Sequence, residues 1–454
     1  MSLKADFLKT YDDLKQSNNF SESHFISYAD AFTQKGGGLF SWLPNDTRAE
    51  AWGLIIKSNL KGAAGSWVRQ NVTSLNPDWF GATRTKTAKP DMQLSFRALG
   101  YTEQQIKARY SIYIPDISLN DYPDWAAIQM MCKLQEQGWL AIELPSGDYY
   151  INRKIILPEP DKPNTVVQYS IEGNGSWFYS VNNNGFPFFS TMPKNQSESQ
   201  NVFCARRFTI KNLSIIGRRE VAGTVGIAIG GTFQSLIENI HLIGLDTGIV
   251  LRHAMSTTVL RCNAVGCRTI SYFMGSGRNT WEGGNSTNSG CNQSKIISCR
   301  QFTSDGQFAG VYISESSECR VEDFVLDGSG KRHTSYGIYI DTRNASTVKD
   351  GYVKGIHGES AVDSALVKFR GNTASFQVSD VFVQYSCTLV ELEGSSQVQC
   401  SQFSYFPGDC TFASKGGGIW KFDNVFNRAK SINWRTDGEY SIPDEKRVRN
   451  DKKL

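Results

Sequence analysis

Carboxylates and aromatic side chains crowd the stretch between Asp305 and Arg343. Breaking a glycosidic bond takes two carboxyl groups flanking it, roughly 5 to 9.5 Å apart depending on the stereochemical course. Asp341 with Glu315 or Asp327 is the pair this stretch offers, and Arg343 and Arg370 could take anionic groups of the substrate. Tyr312 and Tyr339 add flat rings suited to the apolar face of a sugar. A second focus is Trp281-Glu282, with Arg278, in the polar segment from Met274 to Cys291. An indole beside a carboxylate also suits a sugar ring, and the same indole could equally pack on its own rung or on a neighbouring subunit. The charged residues have a structural reading too: Asp341, Arg370 and Glu393, one above another, would make an alternating-charge ladder. A proton abstraction at a uronate would instead draw on Lys368, Arg370 and Tyr339.

The elements that must position these groups are legible as a repeat. Ile210-Lys-Asn212-Leu213, Ile237-Glu-Asn239-Ile240, Leu260-Arg-Cys262, Ile297-Ser-Cys299, Val321-Glu-Asp323-Phe324, Val348-Lys-Asp350, Val378-Ser-Asp380-Val381 and Val398-Gln-Cys400 share one pattern. Their polar or small residues are spaced by 27, 23, 37, 24, 27, 30 and 20 positions. That period, with short apolar alternation and turns rich in Gly, Asn, Ser and Asp, predicts a solenoid of short strands, a parallel β-helix. Asn and Asp suit the bend because they tolerate left-handed backbone angles. The long spacing between Cys262 and Cys299 assigns a protruding loop to the segment holding Trp281.

A second series follows each bend: Gly226–Gly230, Gly248–Arg252, Gly310–Ser314, Gly337–Asp341, Leu366–Arg370 and Leu389–Glu393. Aligned, it turns Ile, Leu, Val and Phe inward and leaves two outward columns. One runs Ala228, Val250, Tyr312, Tyr339, Lys368, Glu391; the next runs Gly230, Arg252, Ser314, Asp341, Arg370, Glu393. Ser314 thus lies below Asp341, with Glu315 beside it and Asp327 in the turn between. Outward carboxylates on adjacent or next-adjacent rungs, stacked at about 4.8 Å, meet the spacing that glycosidic hydrolysis requires.

Composition sets the class. The chain has 454 residues, 40% hydrophobic, with 41 glycines, which suits a β-rich protein with many turns. A formal charge of +4 is too weak to argue for nucleic acid, and no membrane span is evident. The amino terminus lacks the apolar core of a secretion signal. Ten cysteines without a close pair read as buried thiols, and five histidines without ligand spacing imply no metal site. No cofactor motif is present in the sequence.

In chain order, Phe7, Leu8, Tyr11 and Leu14 predict a helix within residues 4–20, followed by strand-like runs at 25–28, 38–42, 53–57 and 66–69. Thr102 starts a possible helical turn, and Trp125, Ile128, Met131, Cys132 and Leu134 form one face of a helix that Gly138 stops. The order Gly36-Gly-Gly-Leu-Phe40, Gly65-Ser-Trp-Val-Arg69, Trp79-Phe-Gly-Ala82, the helix with Ala127-Ile128-Gln129, and Leu144-Pro145-Ser-Gly147-Asp-Tyr149 resembles the entry region of bacteriophage tailspikes with a pectate-lyase-like β-helix. The resemblance covers residues 25–175 by motif and 176–430 by architecture alone. It implies a mainly β protein built on a single-stranded right-handed parallel β-helix, a homotrimer on a virion tail contacting tail or baseplate proteins, and binding or cleavage of a bacterial surface polysaccharide. One departure stands out: about forty residues separate Ala82 from Asp121-Tyr-Pro-Asp124, where related sequences carry an acidic segment.

The expected organisation is therefore a helix and small β module at 1–75, an entry region with a capping helix at 76–140, the β-helix at 141–435 and a charged tail at 436–454. Hydrolysis of a glycan, glycan binding without chemistry, and lyase action all remain open at this stage.

Overall fold

The computed structural model describes residues 6–29, 32–85, 94–138, 141–158, 167–181, 184–191, 206–275, 290–302, 306–327, 334–342, 348–358, 362–384, 387–394, 396–405, 409–415, 419–423, 426–427, 431–437 and 449–450. Contacts divide the chain into two units, Met1–Glu159 with Tyr169–Asn182, and Pro160–Gln168 with Asn183–Leu454.

The first unit opens with a five-stranded sheet in the order Asp6–Leu8, His24–Tyr28, Gly36–Pro44, Gly65–Arg69, Ile55–Lys57. The helix expected at 4–20 is shorter, α1 at Tyr11–Gln16, because Thr10 caps it through a reciprocal capping box with Asp13. Phe7 and Leu8 instead lie in the edge strand, and Phe7 is exposed. A buried guanidinium ties the module together. Arg69 donates from Nε to Gly53 O (2.6 Å), from Nη1 to Gly37 O (2.8 Å) and from Nη2 to Gly36 O (2.7 Å) and to the Tyr11 hydroxyl. Its plane lies 4.4 Å from the Trp79 ring and 4.8 Å from Phe40. Gly36 has a φ of +80°, and a Cβ there would stand 2.0 Å from Asp78 O.

The inserted residues after Ala82 hold α2 (Glu103–Tyr110), capped by Thr102 and Gln105. Helix α3 (Pro123–Glu136) is buried on nearly every side rather than on one face. It lies on the strands Asp148–Ile151 and Ile155–Ile156 and satisfies their backbone with side chains. Gln129 accepts from Ile156 N (2.7 Å) and donates to Ile156 O (3.1 Å), and Trp125 Nε1 donates to Lys154 O (2.9 Å). Asp124, fully buried at the first turn, accepts from Thr83 N, Thr83 Oγ1, Arg84 N and Tyr150 N. The bonds to Tyr150, Lys154 and Ile156 fill backbone donors and acceptors in and beside these strands, and those from Thr83 and Arg84 tie the preceding loop to the helix.

The second unit is the parallel β-helix. One ladder runs Arg206–Ile216, Leu236–Ile243, the pairs Thr258–Leu260/Asn263–Val265 and Lys295–Ile297/Arg300–Phe302, then Arg320–Asp327, Val348–Gly358, Thr373–Val383, Gln397–Tyr405 and Ile419–Asp423. The other runs Pro187–Ser190, Val225–Phe233, Thr247–Met255, Ile270–Gly275, Gln307–Ser314, Thr334–Thr342, Val362–Gly371, Cys387–Glu393, Asp409–Lys415 and Ser431–Asp437. The described pairings between successive rungs are parallel, and in register but for single shifts between Thr334 and Tyr336 and between Thr388 and Val390.

The first ladder bends once per rung at a residue in the left-handed region. Asn212, Asn239, Arg261, Ser298, Asp323, Gly355, Asp380 and Gln402 hold these places, with φ between +50° and +71°. Four of the expected bends, at 212, 239, 323 and 380, are these residues. The three cysteines are not. Cys262 and Cys299 follow the bend and point inward in the column Leu213, Ile240, Cys262, Cys299, Phe324, Ile356, Val381, Phe403. Cys400 lies two residues before its bend, inward beside Val378. A thiol is an apolar group that belongs in the core, whereas the bend needs a residue that tolerates positive φ. Asp350 also has positive φ, but its rung turns at Gly355, where a Cβ would meet Asp323 Oδ1 at 2.6 Å. The described cysteines are free, and all but Cys387 are fully buried.

In the second ladder the inward positions run Ile227, Ile249, Tyr272, Val311, Ile338, Val367, Val390 and Ile229, Leu251, Met274, Ile313, Ile340, Phe369, Leu392, all buried. The rung Ile270–Gly275 escapes the sequence alignment because Ser271 stands where its neighbours place Gly248 and Gly310. Ile432-Asn-Trp434 is part of a strand paired with Asp409–Lys415. Among the described residues no helix is long and apolar enough to cross a membrane.

Replacing Arg69 by Met would take this donor from the carbonyls of Gly37 and Gly53, at about 1–3 kcal/mol for each unsatisfied group, while Gly36 O keeps the Tyr11 hydroxyl at 2.9 Å. Urea unfolding followed by tryptophan fluorescence should show the Arg69→Met module destabilised by at least about 2 kcal/mol. An unchanged transition would mean that the guanidinium does not hold the module together.

Candidate functional site

In-register pairing builds columns on the outer face of the second ladder. The first runs Ala228, Val250, Phe273, Tyr312, Tyr339, Lys368, Glu391, as the sequence alignment places it apart from the added Phe273. Its early members are closed over: Ala228, Val250 and Phe273 form an apolar cluster with Val225 and Ile270, against which Phe308 and Tyr312 pack. Tyr312 and Tyr339 therefore belong to an aromatic wall. Their rings meet edge to face at 5.2 Å, Tyr312 meets Phe273 at 5.3 Å, and Phe308 and Tyr336 lie against Tyr339 at 5.1 and 4.9 Å. Tyr312 is half-buried and Tyr339 is buried, so the wall offers ring edges rather than a row of open faces.

The next column runs Ser314, Asp341, Arg370, Glu393, Lys415. Asp341 is 5% exposed, and its carbonyl accepts from the amide of Glu315 at 3.0 Å. Glu315 stands just beyond the strand, at a φ of +51°, and is half-buried. The main chains of the two residues thus meet on adjacent rungs at one corner of the solenoid. Asp327 does not join them. It ends a strand of the first ladder, in register with Phe302, and forms an ion pair with Arg300. Alternation and register placed Asp341; the segment 328–333 after Asp327 carried no repeat from which its corner could be read.

Farther along, the charges are engaged with one another. Arg370 Nε meets Glu393 at 2.9 Å, and the Lys368 ammonium, almost fully buried, meets Glu391 at 2.5 Å and Glu393 at 3.0 Å. Burial acts to lower the lysine's pKa, but hydrogen bonds and charge from Glu391 and Glu393 outweigh it and raise the pKa above the usual lysine value. Lys368 is therefore held as an ammonium and cannot serve as a base near neutral pH. Glu393, although partly desolvated, is held below the usual glutamate value by Lys368 and Arg370. Trp281, Glu282 and Arg343 lie outside the described residues.

Around the same corner the sequence reading left a second feature unassigned. The turn carrying Glu315 also carries Glu318, and beyond it an open groove of about 210 Å³ is lined by Ser256, Thr258, Gln293, Lys295, Glu318 and Arg320. The signal was present in the spacing: Thr258, Lys295 and Arg320 each stand three residues before the bends Arg261, Ser298 and Asp323.

No family model matches the sequence, and no curated protein is detectably similar to it. Solved structures do resemble it. The gp42 tailspike of Acinetobacter phage vb_AbaP_AS12 aligns over 99% of this chain and 78% of its own, with 12% identity and a TM-score of 0.54. The tailspike protein of Acinetobacter phage vB_ApiP_P1 aligns over 98% of this chain and 72% of its own, with 12% identity and a TM-score of 0.51. The tailspike protein of Acinetobacter baumannii phage AM24 aligns over 97% of this chain, with 13% identity and a TM-score of 0.46, and the chain spans 66% of that protein's length. The chain has the parallel β-helix fold of these tailspikes.

The Lys368 cluster has a defined pH window. A raised lysine pKa contributes stability below the unfolded value of 10.5, and a lowered glutamate pKa contributes stability above 4.5. Lys368→Met should cost about 2 kcal/mol at pH 7 by leaving two carboxylates without their ammonium. Thermal melts of parent and variant should converge as the pH falls below 4.5 and through the lowered Glu393 pKa. A difference that persists at pH 3 would mean that packing, not charge, carries the effect.

Proposed function

We propose that this chain is a tailspike-like protein that binds a bacterial surface polysaccharide and cleaves it by glycosidic hydrolysis. The observation that carries this reading is the placement of Glu315 and Asp341 on adjacent rungs at one corner, beside an aromatic wall. A rung spacing of about 4.8 Å brings two outward carboxyls into the range at which one protonates the leaving oxygen and the other attacks or activates water. Asp341, 5% exposed and in a column with Arg370, is the candidate nucleophile or base, and Glu315, at the edge of the turn, the candidate proton donor to the leaving oxygen. A tailspike-like setting supplies the rest of the proposal: a homotrimer on a virion tail, with tail or baseplate proteins at one end and glycan along the β-helix.

Glycan binding without cleavage is the second reading. It is favoured by a specific observation: Asp327, Glu391 and Glu393 are all ion-paired, as expected where charge serves the scaffold rather than chemistry. A lyase reaction is disfavoured by the ammonium state of Lys368.

Incubation with capsular and lipopolysaccharide glycans, following chain length and new reducing ends, separates the readings. Under hydrolysis, Asp341→Asn and Glu315→Gln should each lower turnover by about 10²- to 10⁴-fold with unchanged melting temperature and glycan retention. Full activity in either variant removes that residue from the pair. Glycan retained but left intact by the parent protein establishes the binder.

A further inference from the structure

The groove at Lys295 and Arg320 differs from four other charged places on this solenoid. At each of these a cation meets a carboxylate from rung to rung: Arg268 with Asp246, Arg300 with Asp327, Lys354 with Asp380, Arg370 with Glu393. Lys295 and Arg320 instead stand in register with each other on adjacent strands, with Thr258 before them and Tyr352 after. Two cations directly opposite, about 4.8 Å apart along the backbone stack, repel one another. Among the described residues neither meets a carboxylate at ion-pair distance.

The nearby acids are each hydrogen-bonded to a neutral side chain. Glu318 lines the groove, but its Oε2 accepts from Gln293 Nε2 at 2.7 Å, and Gln293 Oε1 in turn accepts from Ser256 Oγ at 3.1 Å. Glu322, one alternation along the strand, bonds the Tyr352 hydroxyl. Three left-handed turn residues, Ser256, Gln293 and Glu318, thus make one hydrogen-bonded wall, and the cations with Thr258 make the other. The Arg320 guanidinium lies over the Tyr352 ring at 5.0 Å, which orients its plane.

From this geometry we infer that the groove is a subsite for an anionic sugar, a ring carrying a carboxylate or phosphate, in the glycan that the chain binds. The inference rests on the glycan-binding reading and names its substrate class. The oxyanion sits between Lys295 and Arg320, where it relieves their repulsion and gains charge-assisted hydrogen bonds. Thr258 and the Ser256–Gln293–Glu318 wall face the ring hydroxyls.

The test is equilibrium binding of the full chain to polygalacturonate, hyaluronan and polysialic acid, to their carboxyl-reduced forms, and to a glycerol-phosphate polymer. Binding of at least one anionic chain should be about tenfold tighter than that of its neutral form, and should weaken as salt rises. Lys295→Gln and Arg320→Gln should each weaken it about five- to tenfold with unchanged melting temperature. The polymer retained, uronate-type or phosphate, identifies the oxyanion. Equal affinity for neutral and anionic chains, or variants that bind anionic chains as the parent does, overturns the subsite while glycan binding stands. Binding of no chain of either kind brings down the subsite together with the reading beneath it.

Discussion

Everything in the second unit depends on one backbone conformation repeated once per rung. A left-handed residue turns each strand of the first ladder without breaking its hydrogen bonds to the rungs on either side. For most side chains that conformation costs about 1 kcal/mol, and Asn, Asp and Gly lower the cost by local hydrogen bonding or by lacking a Cβ. Asn239 adds to this by donating to Asn212 Oδ1 at 2.8 Å, so two successive bends support each other. With the bend fixed, the inward columns of Ile, Leu, Val, Phe and Cys stack at full burial and supply the hydrophobic stabilisation.

Register then dictates the surface. Side chains that share a column are neighbours whatever their separation in sequence, so the chemistry of the outer face is decided column by column. The aromatic wall from Phe273 to Tyr339, the ion cluster around Lys368 and the adjacent cations Lys295 and Arg320 are three outcomes of the same rule. The first unit works differently. There a buried arginine, glycine carbonyls and polar side chains of α3 meet the backbone groups that a stacked rung would otherwise satisfy.

This difference explains what could be read in advance. The alternation of Gly337-Ile-Tyr-Ile-Asp341 against Leu366-Val-Lys-Phe-Arg370 placed both outward columns correctly, because strand periodicity leaves no freedom once two rungs are aligned. The bends were harder. Cys262 and Cys299 recur as regularly as Asn212 and Asn239, yet Arg261 and Ser298 take the left-handed angle, and neither is a residue that composition would nominate. Asp327 was assigned to a corner by its place in sequence, but the ion pair with Arg300 joins two rungs and is invisible without the register. The burial of Tyr339 and Lys368 was equally hidden, since an outward position on a strand does not say what lies over it.

The stacking of rungs also makes the solenoid a ruler with fixed graduations. Two groups in one column can stand about 4.8 Å apart, or a whole multiple of it, and nothing between. Distances along the axis, such as that from Glu315 to Asp341, are therefore chosen by counting rungs, not by small shifts of backbone. A one-residue slip would turn every side chain of a strand to the opposite face, whereas the gain or loss of a complete rung leaves the inward columns matched. Fit to a polymer's repeat would on this scaffold change in steps, one coil of chain at a time.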